Sequence, residues 1–303
     1  MKTKSKRNKT IDFSLQQGGQ YLTETCNIEK VESLPLNTVC VGDTFNGITK
    51  LPDKSVDLLI VDPPYNLDKN FHGNKFKKGD SEWYKEYTLS WINAVKPKLK
   101  ETASIYVCCD WKSAIVIGEI IDKHFILRNR ITWSREKGRG AKANWKNCME
   151  DVFFATVSNE YTFNLNAVKV KKKVLAPYKD NGTPKDWYVE GGKKVRYTCP
   201  SNFWNDISVP YWSMKENTAH PTQKPEKLIA KLILASSNAN DVVLDPFLGS
   251  GTTAVVAKKL DRNFYGIEKN PLYCAWAVKR LIDAESEKNI QGLENGIFTE
   301  RNN

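Results

Sequence analysis

Val56-Asp57-Leu58-Leu59-Ile60-Val61-Asp62-Pro63-Pro64-Tyr65 is the stretch from which the rest of the chain can be read. Apart from Asp57, its first six residues are aliphatic, the pattern of a parallel strand buried on both faces. The run stops at an acid followed by two prolines, and ligands in open α/β sheets bind at such strand ends. The prolines hold Asp62 and Pro63 in extended backbone and supply no N–H of their own. A carboxylate and a free carbonyl therefore face the same space beside the Tyr65 ring. Two acceptors next to a stacking face suit a planar amino group, such as the exocyclic amine of a nucleobase. The plainer alternative is a proline-stiffened strand exit without chemistry.

Outward from this strand, apolar runs and amphipathic stretches alternate. Upstream, Val39-Cys40-Val41-Gly42-Asp43 reads as a strand ending in an acid. Downstream, strands are predicted at Ser104 to Cys109, Ile126 to Trp133, Asp151 to Val157, Asp241 to Asp245 and Asn263 to Glu268, seven in all with the two above. Helices are predicted at Ser113 to Lys123, Pro225 to Ser236, Thr252 to Leu260 and Pro271 to about Ala284. Trp83, Tyr87, Trp91, Val95 and Leu99 recur every four residues, a stripe that suits a helix covering the sheet rather than a row of nucleic-acid contacts. This is an α/β, doubly wound, mostly parallel seven-stranded sheet. Residues 1–30 read as a basic flexible arm, 31–160 and 213–285 as the two halves of one domain, 161–212 as an insertion rich in Lys, Asn, Gly and aromatics, and 286–303 as a polar tail. No internal repeat is visible.

Composition narrows the possible partners. There are 46 Lys and Arg against 35 Asp and Glu, a net charge of +11, with Lys2, Lys4, Lys6, Arg7 and Lys9 crowding the start. A polyanionic partner fits that balance, and the many aromatics add stacking surface. Seven scattered cysteines, Cys108 and Cys109 adjacent, are poor geometry for a disulfide framework. Three histidines with no metal-ligand spacing give no zinc site. No apolar run approaches the length of a membrane span and no secretory signal is seen, so the cytoplasm is the expected location. Asn181-Gly182-Thr183 matches a glycosylation sequon but reads more simply as a tight turn.

A second constellation is Asp245-Pro246-Phe247-Leu248-Gly249-Ser250-Gly251-Thr252-Thr253, a strand-to-helix loop whose two glycines let a ligand approach the backbone and the helix N-terminus. It lacks the lysine of a phosphate loop and the third glycine of a dinucleotide fingerprint, so the carboxylate of a bound amino acid suits it better. Glu268 ends the next strand, where an acid commonly accepts hydrogen bonds from ribose hydroxyls. An amino-acid end and a ribose together suggest S-adenosyl-L-methionine.

With these residues in view, the chain resembles the DNA amino-methyltransferases, which methylate adenine N6 or cytosine N4. The resemblance covers roughly Val39 to Leu281 and is carried by Asp62-Pro63-Pro64-Tyr65, the loop Asp245 to Thr253, and His220-Pro221-Thr222-Gln223-Lys224-Pro225. The motif order is that of the permuted β group: catalytic motif, target-recognition region (here 161–212), then cofactor loop. The strand count agrees, because only one helix and the tail follow Glu268, and Val39 to Val41 must supply the missing cofactor-side strand. The resemblance implies a methyltransferase of the type II restriction-modification kind, or a stand-alone relative, acting on adenine N6 in duplex DNA by base flipping. Asp62 and the Pro63 carbonyl would accept the N–H bonds, Pro64 would stiffen the turn, and Tyr65 would stack on the flipped base. It places Asp43, His220, Thr222, Lys224, Asp245, Phe247, Gly249, Ser250, Gly251, Thr252, Thr253 and Glu268 against S-adenosyl-L-methionine; Lys224 reads either as a partner of the cofactor carboxylate or as a surface lysine at a helix start.

Expected DNA contacts are Lys75, Lys77 and Lys78 in the loop from Asn66 to Ser81, and Arg135, Lys137, Arg139, Lys142 and Lys146 after a strand end. Cytosine N4 remains open, although relatives acting on cytosine more often carry serine where Asp62 stands. RNA or protein-glutamine methylation is disfavoured because an asparagine normally stands there. A DNA-binding relative without catalysis is disfavoured by the intact Asp62, Tyr65, Gly249, Gly251 and Glu268. Double-stranded DNA is the expected partner, with a cognate restriction endonuclease acting separately and the chain a monomer or homodimer.

Overall fold

The computed structural model describes residues 5–135, 143–175 and 177–299. The main sheet has nine strands: β1 (Cys26–Asn27), β2 (Val39–Val41), β3 (Val56–Val61), β4 (Leu99–Cys109), β5 (Ile126–Ser134), β6 (Met149–Thr156), β7 (Phe203–Trp204), β8 (Val242–Asp245) and β9 (Asn263–Glu268). Their spatial order is β1-β2-β9-β8-β3-β4-β6-β5-β7. All neighbouring pairs are parallel except β4 with β6 and β6 with β5. The seven predicted strands are all present, joined by β1 and β7, two-residue strands at the two edges. Strand β2 pairs with β9 through Gly266↔Val39, Ile267↔Cys40 and Glu268↔Val41. An early strand thus lies beside the strand that ends at Glu268, where the permuted order places it.

Period-two alternation divides the core. Leu58 and Ile60 of β3 face helices α5 (Glu226–Ser236), α6 (Thr252–Lys259) and α7 (Pro271–Ser286), while Leu59 and Val61 face α2 (Thr44–Thr49), α3 (Ser81–Val95) and α4 (Ser113–His124). Helices on both faces explain why the parallel strands read as continuous apolar runs. On α3 the buried side chains are Tyr84, Thr88, Trp91, Ile92 and Val95. Leu99, the last residue of the predicted stripe, starts β4. Trp83 is 40% exposed and stacks on Tyr87.

Both chain ends depart from expectation. The flexible arm predicted through residue 30 gives way at Leu15, where helix α1 (Leu15–Thr23) begins. Ser14 and Gln17 form a reciprocal capping box there, and the helix packs on α7. Ile28 is fully buried. The predicted polar tail carries a hairpin, Leu293–Glu294 with Ile297–Thr299, whose second strand pairs in parallel with Val170–Lys173. Phe298 is fully buried, which no solvated tail would allow. Together with Tyr188–Glu190 and Lys193–Thr198 these strands make a second, five-stranded sheet. The Asn181-Gly182 pair forms the two-residue loop of the Lys179–Asp180/Thr183–Pro184 hairpin, both residues at positive φ.

Position of the site follows from topology. From β8 the chain proceeds to β9 on one side, and from β3 it proceeds to β4 on the other, so the crevice between β8 and β3 is the switch point of the sheet. The two strands are parallel neighbours, Val243 beside Leu58. Asp245 and Asp62 therefore leave the same edge.

Candidate active site

One cavity of about 380 Å³ opens at that edge. Asp62, Pro63, Pro64 and Tyr65 form one side of it. The Tyr65 hydroxyl donates to Asp62 Oδ1 at 2.7 Å, and Lys224 Nζ donates to Asp62 Oδ2 at 2.6 Å. Lys224 Nζ also lies 3.1 Å from the Tyr65 oxygen and 3.3 Å from Glu150 Oε2. Burial disfavours the Lys224 ammonium, and Asp62 with Glu150 outweighs it, so the pKa stands above the ordinary lysine value. Tyr65 is pushed up by burial and by the same two carboxylates. Lys224, expected at the cofactor carboxylate, has its ammonium on Asp62. Its carbonyl accepts from the Thr252 hydroxyl of the glycine loop at 3.0 Å.

Opposite lies the glycine loop. Asp245, Phe247, Gly249, Ser250, Thr252 and Thr253 line the cavity, together with Asp43, His220, Thr222 and Glu268. Asp245 accepts from the Phe247 N–H at 3.0 Å and the Thr253 hydroxyl at 2.6 Å, and burial pushes its pKa up to about 7. Glu268 is fixed by the backbone N–H groups of Gly249 at 2.8 Å and Asn270 at 2.7 Å. The Lys269 N–H also bonds this carboxylate, which keeps an acceptor position for a hydroxyl donor. Asp43 caps α2 through the Phe45 N–H.

Of the two glycines, Gly249 lies at φ +56° and a side chain there would meet the His220 ring. Gly251, outside the cavity lining, lies at φ +85°, and a Cβ would fall 2.8 Å from the Ala277 Cα. One glycine keeps the ligand side open and the other lets α6 pack on α7. His220 packs edge-on against Tyr273 with ring centroids 4.4 Å apart, and burial lowers its pKa to about 3.

The loop after Tyr65 is a short hairpin, Lys69–Phe71 with Asn74–Phe76. His72 Nδ1 lies 2.8 Å from the Tyr273 hydroxyl, so the hairpin reaches across to α7. Lys75 lines the cavity, while Lys77, Lys78 and Lys146 are exposed. Arg135, expected on phosphate, pairs here with Glu150. Lys137, Arg139 and Lys142 lie outside the described residues.

Sequence reasoning missed Glu150. Its side chain is 5% exposed, at the start of β6, and touches Tyr65, Lys224 and Arg135. The signal was an acid pair, Glu150-Asp151, opening an apolar strand. Asp151 is equally buried, holding Arg130 and the Thr132 hydroxyl. Among the described residues no cluster of His, Cys, Asp and Glu could hold a metal, and no helix is long and apolar enough to cross a membrane.

Comparison with known proteins bears on this geometry. Residues 56–279 match the family described as DNA methylase. The DNA adenine methyltransferase YhdJ of Escherichia coli is 36% identical over 267 residues, covering 84% of this chain and 86% of that one. The type II methyltransferase M.HpaI of Haemophilus parainfluenzae is 33% identical over 243 residues, 79% and 72% of the two chains. Among solved structures, the M1.HpyAVI–SAM complex is 26% identical with a TM-score of 0.53, covering 80% of this chain and 98% of that one. The cytosine-N4-specific PvuII DNA methyltransferase shares the fold, with a TM-score of 0.60 at 19% identity over 84% and 93%. The match spans both the Asp62 strand end and the glycine loop, and the chain belongs to the DNA methylase family.

Proposed function

We propose that this DNA methylase transfers a methyl group from S-adenosyl-L-methionine to adenine N6 at a specific sequence in duplex DNA. One observation carries the reading: the Asp62-Pro63-Pro64-Tyr65 strand end and the glycine loop share a single cavity at the switch point of the sheet. The lining fits the cofactor. Glu268, fixed by backbone donors, suits ribose hydroxyls, Phe247 with Asp43 suits the adenine, and the Gly249 side suits the amino-acid end. When bound, S-adenosyl-L-methionine supplies an electrophilic sulfonium methyl.

The chain's own residues prepare the acceptor. An aromatic amine is a weak nucleophile because its lone pair is delocalised into the ring. Asp62 and the Pro63 carbonyl, accepting its two N–H bonds, favour the pyramidal nitrogen of the transition state and align it. Tyr65, held by Asp62 and Lys224, offers the stacking face for a flipped base. Adenine is supported by the acid at the first motif position and by the name of the Escherichia coli relative. We assign target recognition to residues 161–212, whose hairpins carry Lys171, Lys172, Lys173 and the exposed Tyr178 and Tyr188. A separately acting endonuclease partner and contacts from Lys75, Lys77, Lys78 and Lys146 to DNA phosphates belong to the same proposal.

The test is incubation with methyl-labelled cofactor and methylation-free duplex DNA, digestion to nucleosides and identification of the labelled species. N6-methyladenine from the wild type, with Asp62→Ala reduced by roughly a hundredfold or more and cofactor affinity held within a few-fold, is the expected result. Label in N4-methylcytosine would correct the base. Turnover surviving in Asp62→Ala would overturn the mechanism.

A further inference from the structure

Lys224 bridges two carboxylates that open into different spaces. Asp62 lines the 380 Å³ cavity, and Glu150 does not. Glu150 lines a second, polar cavity of about 240 Å³, shared with Trp133, Arg135 and Thr218. The segment from His220 to Lys224 is the wall between them and contributes to both linings. Glu150 Oε1 is taken by Arg135, which leaves Oε2 facing Lys224 at 3.3 Å.

This arrangement answers a need that follows from the methyl-transfer reading, on which the inference rests. Forming a bond from the amino nitrogen to the methyl carbon, as the carbon–sulfur bond breaks, spends the nitrogen lone pair and leaves the nitrogen cationic. One N–H proton must depart as that charge develops. At that moment a base and cofactor bound in the first cavity would displace water from it. We propose that Glu150 is the exit for this proton, reached from Asp62 through Lys224 and discharged to water in the second cavity.

The proton moves from the methylated nitrogen to Asp62 Oδ2. Lys224 passes one of its own protons to Glu150 Oε2 and takes the one on Asp62, and Glu150 releases its proton to water. Charge and atoms balance, with a neutral methylamine and one hydronium as products. Protonating Asp62 removes one of the two charges that hold the Lys224 proton, which makes the second transfer feasible. His220, the other titratable wall residue, is a poor acceptor because burial lowers its pKa to about 3.

Glu150→Gln keeps the shape and removes the acceptor, whereas Glu150→Ala vacates space for formate. In single-turnover methyl transfer, both variants should be slowed roughly a hundredfold, the low end for a positioned proton acceptor, with cofactor affinity within twofold of wild type. Formate should restore Glu150→Ala saturably and leave Glu150→Gln unchanged. By calorimetry, formate should bind cofactor-free Glu150→Ala and not the wild type. A wild-type rate in Glu150→Gln, or no restoration of Glu150→Ala by formate, overturns the relay. Absence of methyl transfer by the wild type overturns the proposed function itself, a failure that the variants do not share in producing.

Discussion

Replacing Gly251 with alanine tests whether the two glycines of the cofactor loop have separate duties. At φ +85° the new side chain would occupy left-handed backbone, at a cost of about 1–2 kcal/mol. Its Cβ would also fall 2.6 Å from the Ala277 Cβ and 2.8 Å from its Cα. That second neighbour is backbone of a helix and cannot rotate away, so overpacking adds about 1–3 kcal/mol. The sum, about 2–5 kcal/mol, corresponds to a fall in melting temperature on the order of 4–10 °C at about 2 °C per kcal/mol for a chain of this size. Gly249→Ala carries only the left-handed cost, because its nearest neighbour at 3.1 Å is the rim of the His220 ring, which can yield. It should lose roughly 2–4 °C while weakening cofactor binding tenfold or more, by roughly 1.4 kcal/mol. Thermal unfolding followed by circular dichroism, with calorimetric titration of the cofactor, measures both. Equal destabilisation by the two variants, or a Gly251→Ala protein as stable as wild type, would refute the division.

Other consequences concern the chain end and pH. Phe298 is buried beside Trp204, with the Lys231 ammonium 5.5 Å from its ring centroid and 4.8 Å from that of Trp204. Phe298→Ala should cost about 3–5 kcal/mol, read by denaturant unfolding; a change under 1 kcal/mol would mean the C-terminal hairpin is not integral. Burial holds the Asp245 proton in the folded protein up to about pH 7, against an ordinary value of 3.8. The folded state thus binds more protons than the unfolded between those values, and this residue makes stability fall as pH rises through that window. Asp245→Asn, which has no proton to lose, should be flatter from pH 4 to 7 in cofactor-free denaturation series. Parallel curves for the two proteins would remove Asp245 as the cause.

Local sequence made the parallel core legible because strands buried on both faces must be apolar throughout, and the glycine loop and the Asp62 motif each sit within a few consecutive residues. What escaped notice depends on contacts distant along the chain. Glu150 acquires its meaning only because β4 and β6 are antiparallel neighbours, with Cys109 beside Asp151, and β3 lies next to β4. No spacing near residue 150 announces Tyr65 or Lys224. The C-terminal strand Ile297–Thr299 is too short for a period and forms by pairing with Val170–Lys173. Helix α1 was different: its Ser14/Gln17 capping box was present in the sequence, but Gly18 and Gly19 and a polar surround hid it among basic neighbours.

Lys224 ties together two motifs that lie far apart along the chain. Its ammonium rests on Asp62 at the end of β3, and its carbonyl accepts from Thr252 at the start of α6. Thr252 is held in turn by Arg280 of α7, which also donates to the Ser250 carbonyl and pairs with Glu226 of α5. A displacement of the glycine loop would therefore move the Lys224 backbone and strain the ion pair on Asp62. In a buried site an ammonium deprived of its carboxylate is costly, so the glycine loop and the Asp62 carboxylate resist moving independently. Sheet adjacency brings the two motifs together, and this one lysine, carried between the insertion and α5, bonds both.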